Sequence, residues 1–260
     1  MRQGEIIRSR RLKGDYHQVD FYAPDICSSA RPGQFVHVRV AQLEAHILRR
    51  PFSINDVDPA SGAVTVTYKV VGAGTAALAG LAPGVVCDVM GPQGNSYTLP
   101  EAGETPVMIA GGYGAAAMFL IAKRAANPGI LLLGARSAAD LILVEEYRKL
   151  GCDVRVATND GSEGRRGLVT ALLEDVLKTP ETARRRFYAC GPTPMLLAAG
   201  KMLLAAGRGD AELSLDQRMC CGVGACFACV VKVRDGAAWR YSRSCAEGPV
   251  YPASEVYYGD

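Results

Sequence analysis

Four cysteines late in the chain, Cys221, Cys226, Cys229 and Cys245, stand in a glycine-rich stretch reading C-G-V-G-A-C-F-A-C, with the last returning after fifteen residues. Four residues separate the first two and two separate the next pair. A [2Fe–2S] cluster takes four thiolates, and C-x4-C-x2-C with a distant fourth cysteine is the plant-type layout for it. A loop wrapped around inorganic sulfide turns its N–H groups inward, and Gly222 and Gly224 permit the backbone angles this needs. Zinc also takes four thiolates, but its knuckles set one C-x2–4-C pair against another, not three cysteines together and one apart. A disulfide network belongs to secreted chains. Cys220 adjoins Cys221, and either could lead the set. Cys221 gives the four-residue gap and is assigned; Cys220 reads as a spare thiol.

Two further signals lie upstream. Arg49-Arg50-Pro51-Phe52-Ser53-Ile54 combines a guanidinium able to make paired hydrogen bonds to a diphosphate with a hydroxyl able to meet a flavin ring edge. Alone, it is equally an ordinary strand start. About twenty residues on, Tyr68-Lys69-Val70-Val71-Gly72-Ala73-Gly74-Thr75 runs from a strand into a glycine turn that opens a short helix, Thr75 to Ala79. A helix N-terminus favours phosphate; the plain alternative is a capped turn. Further along, Ala110-Gly111-Gly112-Tyr113-Gly114 sits where the first strand-to-helix turn of a nucleotide-binding sheet belongs. Cys190-Gly191-Pro192 ends a later strand at the same sheet edge, so Cys190 reads either as a residue beside a nicotinamide or as a buried strand-end thiol.

The elements that must position these residues divide into three textures. Up to about residue 101, alternating runs such as Gln34–Val40, Ala63–Val70 and Val85–Met90 are punctuated by Pro and Gly, which predicts a small antiparallel barrel. From 102 to 210, continuous apolar strands (Pro106–Ala110, Gly129–Gly134, Asp153–Thr158, Arg186–Cys190) alternate with helical segments (to about Ala126, Leu141–Leu150, Gly167–Leu177, Thr193–Ala206). That alternation predicts a doubly wound parallel α/β sheet. The cysteine-rich segment 211–260 forms a third, small module with a hairpin turned at Asp235-Gly236. The expected fold class is therefore multidomain α+β.

At 260 residues, 49% hydrophobic and 21% charged, the chain holds about two domains and an appendage. A net charge of +3 gives no reason to expect nucleic acid. Arg184-Arg185-Arg186 reads as a solvated helix end. No signal peptide opens the chain and no apolar run is long enough for a bilayer, so no membrane association is expected. Nine cysteines without a leader point to a reducing, cytoplasmic compartment, with Cys27, Cys87 and Cys152 as buried or incidental thiols.

Taken in order, Arg50-Pro51-Phe52-Ser53, Gly72-Ala73-Gly74-Thr75, Gly91-Pro92-Gln93-Gly94-Asn95, Gly134-Ala135-Arg136-Ser137, Asn159-Asp160-Gly161-Ser162, Tyr188-Ala189-Cys190-Gly191-Pro192 and the cysteine loop resemble the ferredoxin reductase superfamily, and within it the electron-transfer subunits of type B dihydroorotate dehydrogenase. The resemblance spans nearly the whole chain. It implies FAD on Arg50, Pro51, Phe52, Ser53, Tyr68, Lys69 and Val70, with Gly74 and Thr75 at its diphosphate. It implies NAD(H) at Gly111, Gly112 and Gly114, with Ser53 and Cys190 at the reacting rings, and a [2Fe–2S] cluster on the four cysteines. It also implies an FMN-containing catalytic subunit as partner, in a heterotetramer of two copies of each, serving pyrimidine biosynthesis. One departure stands out: the family's loop reads G-G-G-x-G followed by proline, whereas here Tyr113 replaces a glycine and no proline follows. NADH is preferred to NADPH, although Arg136 and Arg165-Arg166 could serve a 2′-phosphate. The rival readings are a related flavin and iron–sulfur subunit with another partner, a stand-alone reductase, and a zinc-containing binding module.

Overall fold

The computed structural model describes residues 2–43 and 47–259. Met1 and Asp260, the outer ends of the expected first and third domains, lie outside them. Period-two alternation builds the front of the molecule. Strands β1 (Arg2–Lys13), β2 (Tyr16–Tyr22), β3 (Phe35–Arg39), β4 (Arg50–Asp58), β5 (Ala63–Lys69) and β6 (Val86–Gln93) close a barrel in the order β1-β2-β5-β4-β3-β6. Every pair in it is antiparallel. In β3, Val36 and Val38 turn into the barrel core with Val19, Ile54 and Val66. Phe35 instead packs outside it, on Cys229 and Cys245.

The second half is a seven-stranded sheet in the order β10-β9-β8-β7-β11-β12-β15. Its parallel part comprises β7 (Thr105–Gly111), β8 (Ile130–Ala135), β9 (Asp153–Thr158), β10 (Arg165–Arg166), β11 (Arg185–Cys190) and β12 (Glu212–Ser214); β15 (Val250–Pro252) runs antiparallel at the edge. The strands read as unbroken apolar runs because both faces are covered. Val107, Ile109 and Leu132 meet one layer with Leu173 and Leu203, from α5 (Val169–Leu177) and α6 (Thr193–Ala205). Met108, Ala110 and Leu131 meet the other, with Met118 and Tyr147, from α3 (Gly114–Arg124) and α4 (Val144–Lys149). Chain order reverses between β8 and β11 on either side of β7, which opens a crevice at the strands' carboxyl ends.

The C-terminal segment contributes β12 and β15 to this sheet and a separate hairpin, β13 (Val230–Asp235) and β14 (Ala238–Arg243). Glu212 ties the sheet to the segment leaving the barrel by accepting from Thr98 N and Oγ1 at 2.9 Å each. Lys123 on α3 reaches Asp56 of β4 at 2.7 Å, and Arg124 Nη1 donates at 3.0 Å to Ala30 O, just past α1 (Pro24–Ser29). Among the described residues no helix is long and apolar enough to cross a membrane.

Two expectations need correction. The segment 141–150 is not one helix: a 3-10 turn at Ala138–Asp140 precedes α4, because Leu141, Ile142 and Leu143 are drawn into the core. Of the run 184–186, only Arg184 is a solvated helix end: exposed, it closes a 3-10 turn at Pro180–Arg184. Arg185 and Arg186 begin β11; Arg185 Nη1 donates to Val176 O at 2.9 Å, and Arg186 lies 3.7 Å from Glu212.

Candidate functional site

The cysteine loop is organised as two thiol pairs. Cys221 and Cys226 are in side-chain contact, as are Cys229 and Cys245. Backbone N–H groups point at sulfur: Val223 N donates to Cys221 Sγ at 3.5 Å and Gly224 N to Cys245 Sγ at 3.2 Å. Cys245 N lies 3.5 Å from Cys229 Sγ. These donors matter to charge. The Val223 N–H, with others nearby, holds the Cys221 thiol down to about 6, whereas burial pushes Cys245 up to about 11. Gly222 and Gly224 take φ of 71° and 77°, the left-handed region that lets consecutive N–H groups face inward. Among the described residues, no three Cys, His, Asp or Glu side chains converge as a single ion would require. Two pairs suit a binuclear cluster, two thiolates to each iron, better than one tetrahedral zinc. Cys220 contacts Cys226, so the spare thiol stands at the rim of the set.

Beside this loop lies the outer wall of the barrel. Phe35 pairs with Ser53 and His37 with Pro51 in the β3–β4 ladder. Phe35, Pro51, Ser53, Asp216 and Met219 enclose a small cavity of about 40 Å³. Desolvation raises the Asp216 carboxyl. Arg50 and Gly74 also come together. A Cβ on Gly74 would stand 2.8 Å from Arg50 Cζ and closer still to Nε, so the glycine lets the turn and the guanidinium meet without moving that side chain. A glycine-floored cradle beside a cation suits a diphosphate. Phe52 points into the barrel core against Tyr68, at 5.2 Å between rings, so at this wall it presents backbone. The Tyr68 hydroxyl is buried without a partner. Val70 N donates to Asp15 O at 2.9 Å. Thr75 Oγ1 accepts from Val71 N and Gly72 N at 2.9 and 3.2 Å, capping its own turn in α2 (Ala73–Ala79).

A larger cavity of about 660 Å³ opens at the carboxyl ends of β7, β8 and β9, lined among others by Lys69, Gly111, Gly112, Tyr113, Arg136 and Asn159. Its floor depends on missing side chains: a Cβ on Gly111 would meet Pro192 Cδ at 2.6 Å, and one on Gly134 would meet Val169 Cβ at 2.8 Å. The size and the glycine floor at the switch point fit a dinucleotide. Tyr113 is 53% exposed on the cavity wall. Gly114 starts α3 hard against the Cys190 carbonyl, 2.6 Å from its carbon to a hypothetical Cβ. Cys190 is 4% exposed, and desolvation holds its thiol neutral, well above the usual range. Lys69 is turned from the Ser53 wall toward this cavity, donating to Asp140 at 2.8 Å, where Tyr16 also donates at 3.1 Å. That Lys69–Asp140–Tyr16 bridge joins barrel to sheet.

A model of the iron–sulfur cluster binding domain of dihydroorotate dehydrogenase B matches residues 216–257. The chain is 39% identical over 257 residues to the dihydroorotate dehydrogenase B (NAD(+)) electron transfer subunit of Shouchella clausii, covering 96% of each. The chain belongs to this family of electron transfer subunits. Another member, from Bacillus caldolyticus, is 40% identical over 231 residues, covering 87% of this chain and 86% of the relative. Among solved structures, an NADH-dependent reduced ferredoxin-NADP oxidoreductase chain superposes with a TM-score of 0.81 at 30% identity, covering 98% of this chain and 90% of that one. The ferredoxin reductase of a carbazole 1,9a-dioxygenase shares the fold, with a TM-score of 0.68 at 24% identity over 79% of this chain and 65% of that chain.

Residues that sequence reading did not single out stand beside the candidates it named: Phe35 and His37 against the thiol loop, Asp216 beside Ser53, and Asp140 on Lys69. Phe35 and His37 carried one signal, an aromatic and an imidazole on the face of β3 opposite its valines.

Proposed function

We propose that this chain is the electron-transfer subunit of a type B dihydroorotate dehydrogenase, exchanging electrons between an FMN-containing catalytic subunit and NAD⁺. The thiol pairs Cys221/Cys226 and Cys229/Cys245 hold a [2Fe–2S] cluster; the barrel wall at Arg50, Pro51 and Ser53 holds FAD; the large cavity holds NAD(H). The observation that carries the reading is the placement of the cluster thiols: Phe35 packs on Cys229 and Cys245 while standing opposite Ser53. When bound, the cluster passes single electrons, and the flavin joins these to hydride exchange with the nicotinamide.

The chain's own residues position and insulate. Phe35 and Met219 pack against the thiols and line the cavity that separates them from Ser53. Arg50, beside the Gly74 cradle, offers its guanidinium to the diphosphate, and the Ser53 hydroxyl faces the flavin edge. Arg136 brings positive charge to the nucleotide cavity, where Lys69 is paired with Asp140. Cys190, kept neutral in the core behind this cavity, supports its wall without acting as a nucleophile. Residues 1–101 serve as the flavin barrel, 102–210 as the nucleotide domain and 211–260 as the cluster module. The complex is a heterotetramer of two copies of each subunit in the cytoplasm.

The 30% identity and 0.81 TM-score to the ferredoxin-NADP oxidoreductase chain favour a second reading, a similar subunit docked to a different oxidoreductase. Purifying the chain with its native companion separates the two. An FMN protein that oxidises dihydroorotate, in a complex containing iron, acid-labile sulfide and FAD, supports the first. A companion without dihydroorotate activity supports the second, and a colourless, zinc-bearing preparation overturns both.

A further inference from the structure

His37 is fully buried on the outer face of β3, and neither ring nitrogen has a hydrogen-bond partner. Its neighbours explain why it is there. The ring meets Phe35 edge-on at 6.3 Å, stands opposite Pro51 in the ladder to β4, and faces the thiol loop. Contact with that loop is made at Gly222, where a Cβ would fall 2.9 Å from His37 Cε1 and nearer still to Nδ1. The Cys221 backbone also faces this ring, and an imidazole can both donate and accept a hydrogen bond. A phenylalanine or leucine would fill this seam without the cost of a desolvated imidazole. An unpaired polar ring pressed on a glycine between two cluster thiols is suited to a partner supplied by the loop itself.

We propose that His37 is a positioning residue for the Cys221–Cys226 arm: its imidazole hydrogen-bonds to that arm and fixes it against the strand that carries Pro51 and Ser53. The inference rests on the four cysteines holding a cluster. Hydrogen bonds around the cysteine ligands help set a cluster's reduction potential, so the role is visible beyond turnover. His37 and Gly222 form one joint: the imidazole occupies the space that any larger residue at 222 would take.

The test uses the full chain in complex with its partner, carrying FAD and cluster. His37→Leu should lower the cluster's midpoint potential and alter its EPR signature. It should also slow electron exchange between flavin and cluster about 10-fold, the loss typical of removing a group that orients a ligand. His37→Gln, which restores a donor, should recover at least part of each change. Should His37→Leu not fold, Gly222→Ala pushes on the same ring from the loop side and should shift the same signature. Unmoved EPR and potential in a variant that retains its iron would overturn the inference. A wild-type complex lacking iron and sulfide would instead overturn the cluster reading beneath it.

Discussion

Phe35 stands directly opposite Ser53 in the β3–β4 ladder, and its ring packs on the buried thiols Cys229 and Cys245. One face of β3 therefore meets the thiol loop directly across the ladder from Ser53 of β4. On the proposed assignment, the β3–β4 ladder sets how the thiol loop lies against the Ser53 side of the barrel.

Removal of one thiolate should abolish the cluster and spare the flavin. Cys226→Ser should retain FAD but lose iron and sulfide, and partner-coupled NAD⁺ reduction should fall by about 100-fold or more, since outer interactions alone are worth 10–100-fold. Cys220→Ser should keep the cluster. Metal analysis of the two variants checks the assignment, and loss of iron in Cys220→Ser but not Cys221→Ser would reverse it.

Loss of the Ser53 hydroxyl removes one hydrogen bond, worth about 1 kcal/mol and so roughly 5- to 10-fold in rate if it strengthens in the transition state. Ser53→Ala should slow flavin reduction by NADH by that factor in stopped flow, with FAD content unaltered. An unchanged rate would remove Ser53 from the flavin edge.

Tyr113 projects into the nucleotide cavity, and ring stacking is worth about 0.5–1.5 kcal/mol. Tyr113→Ala should therefore raise KM for NADH about 2- to 10-fold with kcat little altered. A lower KM would mean that the ring crowds the nucleotide.

Lys69, by donating to Asp140, holds that carboxyl below its usual value. A depressed carboxylate stabilises the fold above its ordinary value of 3.8 and loses that contribution as pH falls through the lower, folded value. With side chains 31% and 18% exposed, the pair is worth about 0.5–1 kcal/mol. Asp140→Asn should shift denaturation midpoints by that amount at both pH 7 and pH 5, the gap closing only below 3.8. A gap that changed between pH 7 and pH 5 would contradict the assignment.

Gly114 has no room for a methyl, which would strike the Cys190 carbonyl. Gly114→Ala should cost about 1–3 kcal/mol, read as a drop in Tm of several degrees. Full stability would show that α3 can move away from β11.

The iron–sulfur module was legible because its cysteine spacing is local: three lie within nine residues, and loop geometry acts over that distance. The barrel and the parallel sheet were legible because alternation and unbroken apolar runs report which faces are covered. Arg185 and Arg186 were misplaced because a charge run says nothing about Glu212 or the Val176 carbonyl, which the sheet brings to them. Leu141–Leu143 were misplaced because burial of three apolar side chains outweighed helix continuity.

The sequence by itself determined which chemistry the chain bears: thiolates in a 4–2 spacing, a guanidinium and a hydroxyl on one strand, glycines at a strand end. Only the tertiary structure decided what stands beside what. Lys69 faces Asp140, 71 residues away, and His37 presses on Gly222. Such contacts form when barrel closure and sheet stacking bury both partners at once, and no local pattern of residues encodes a meeting that distant.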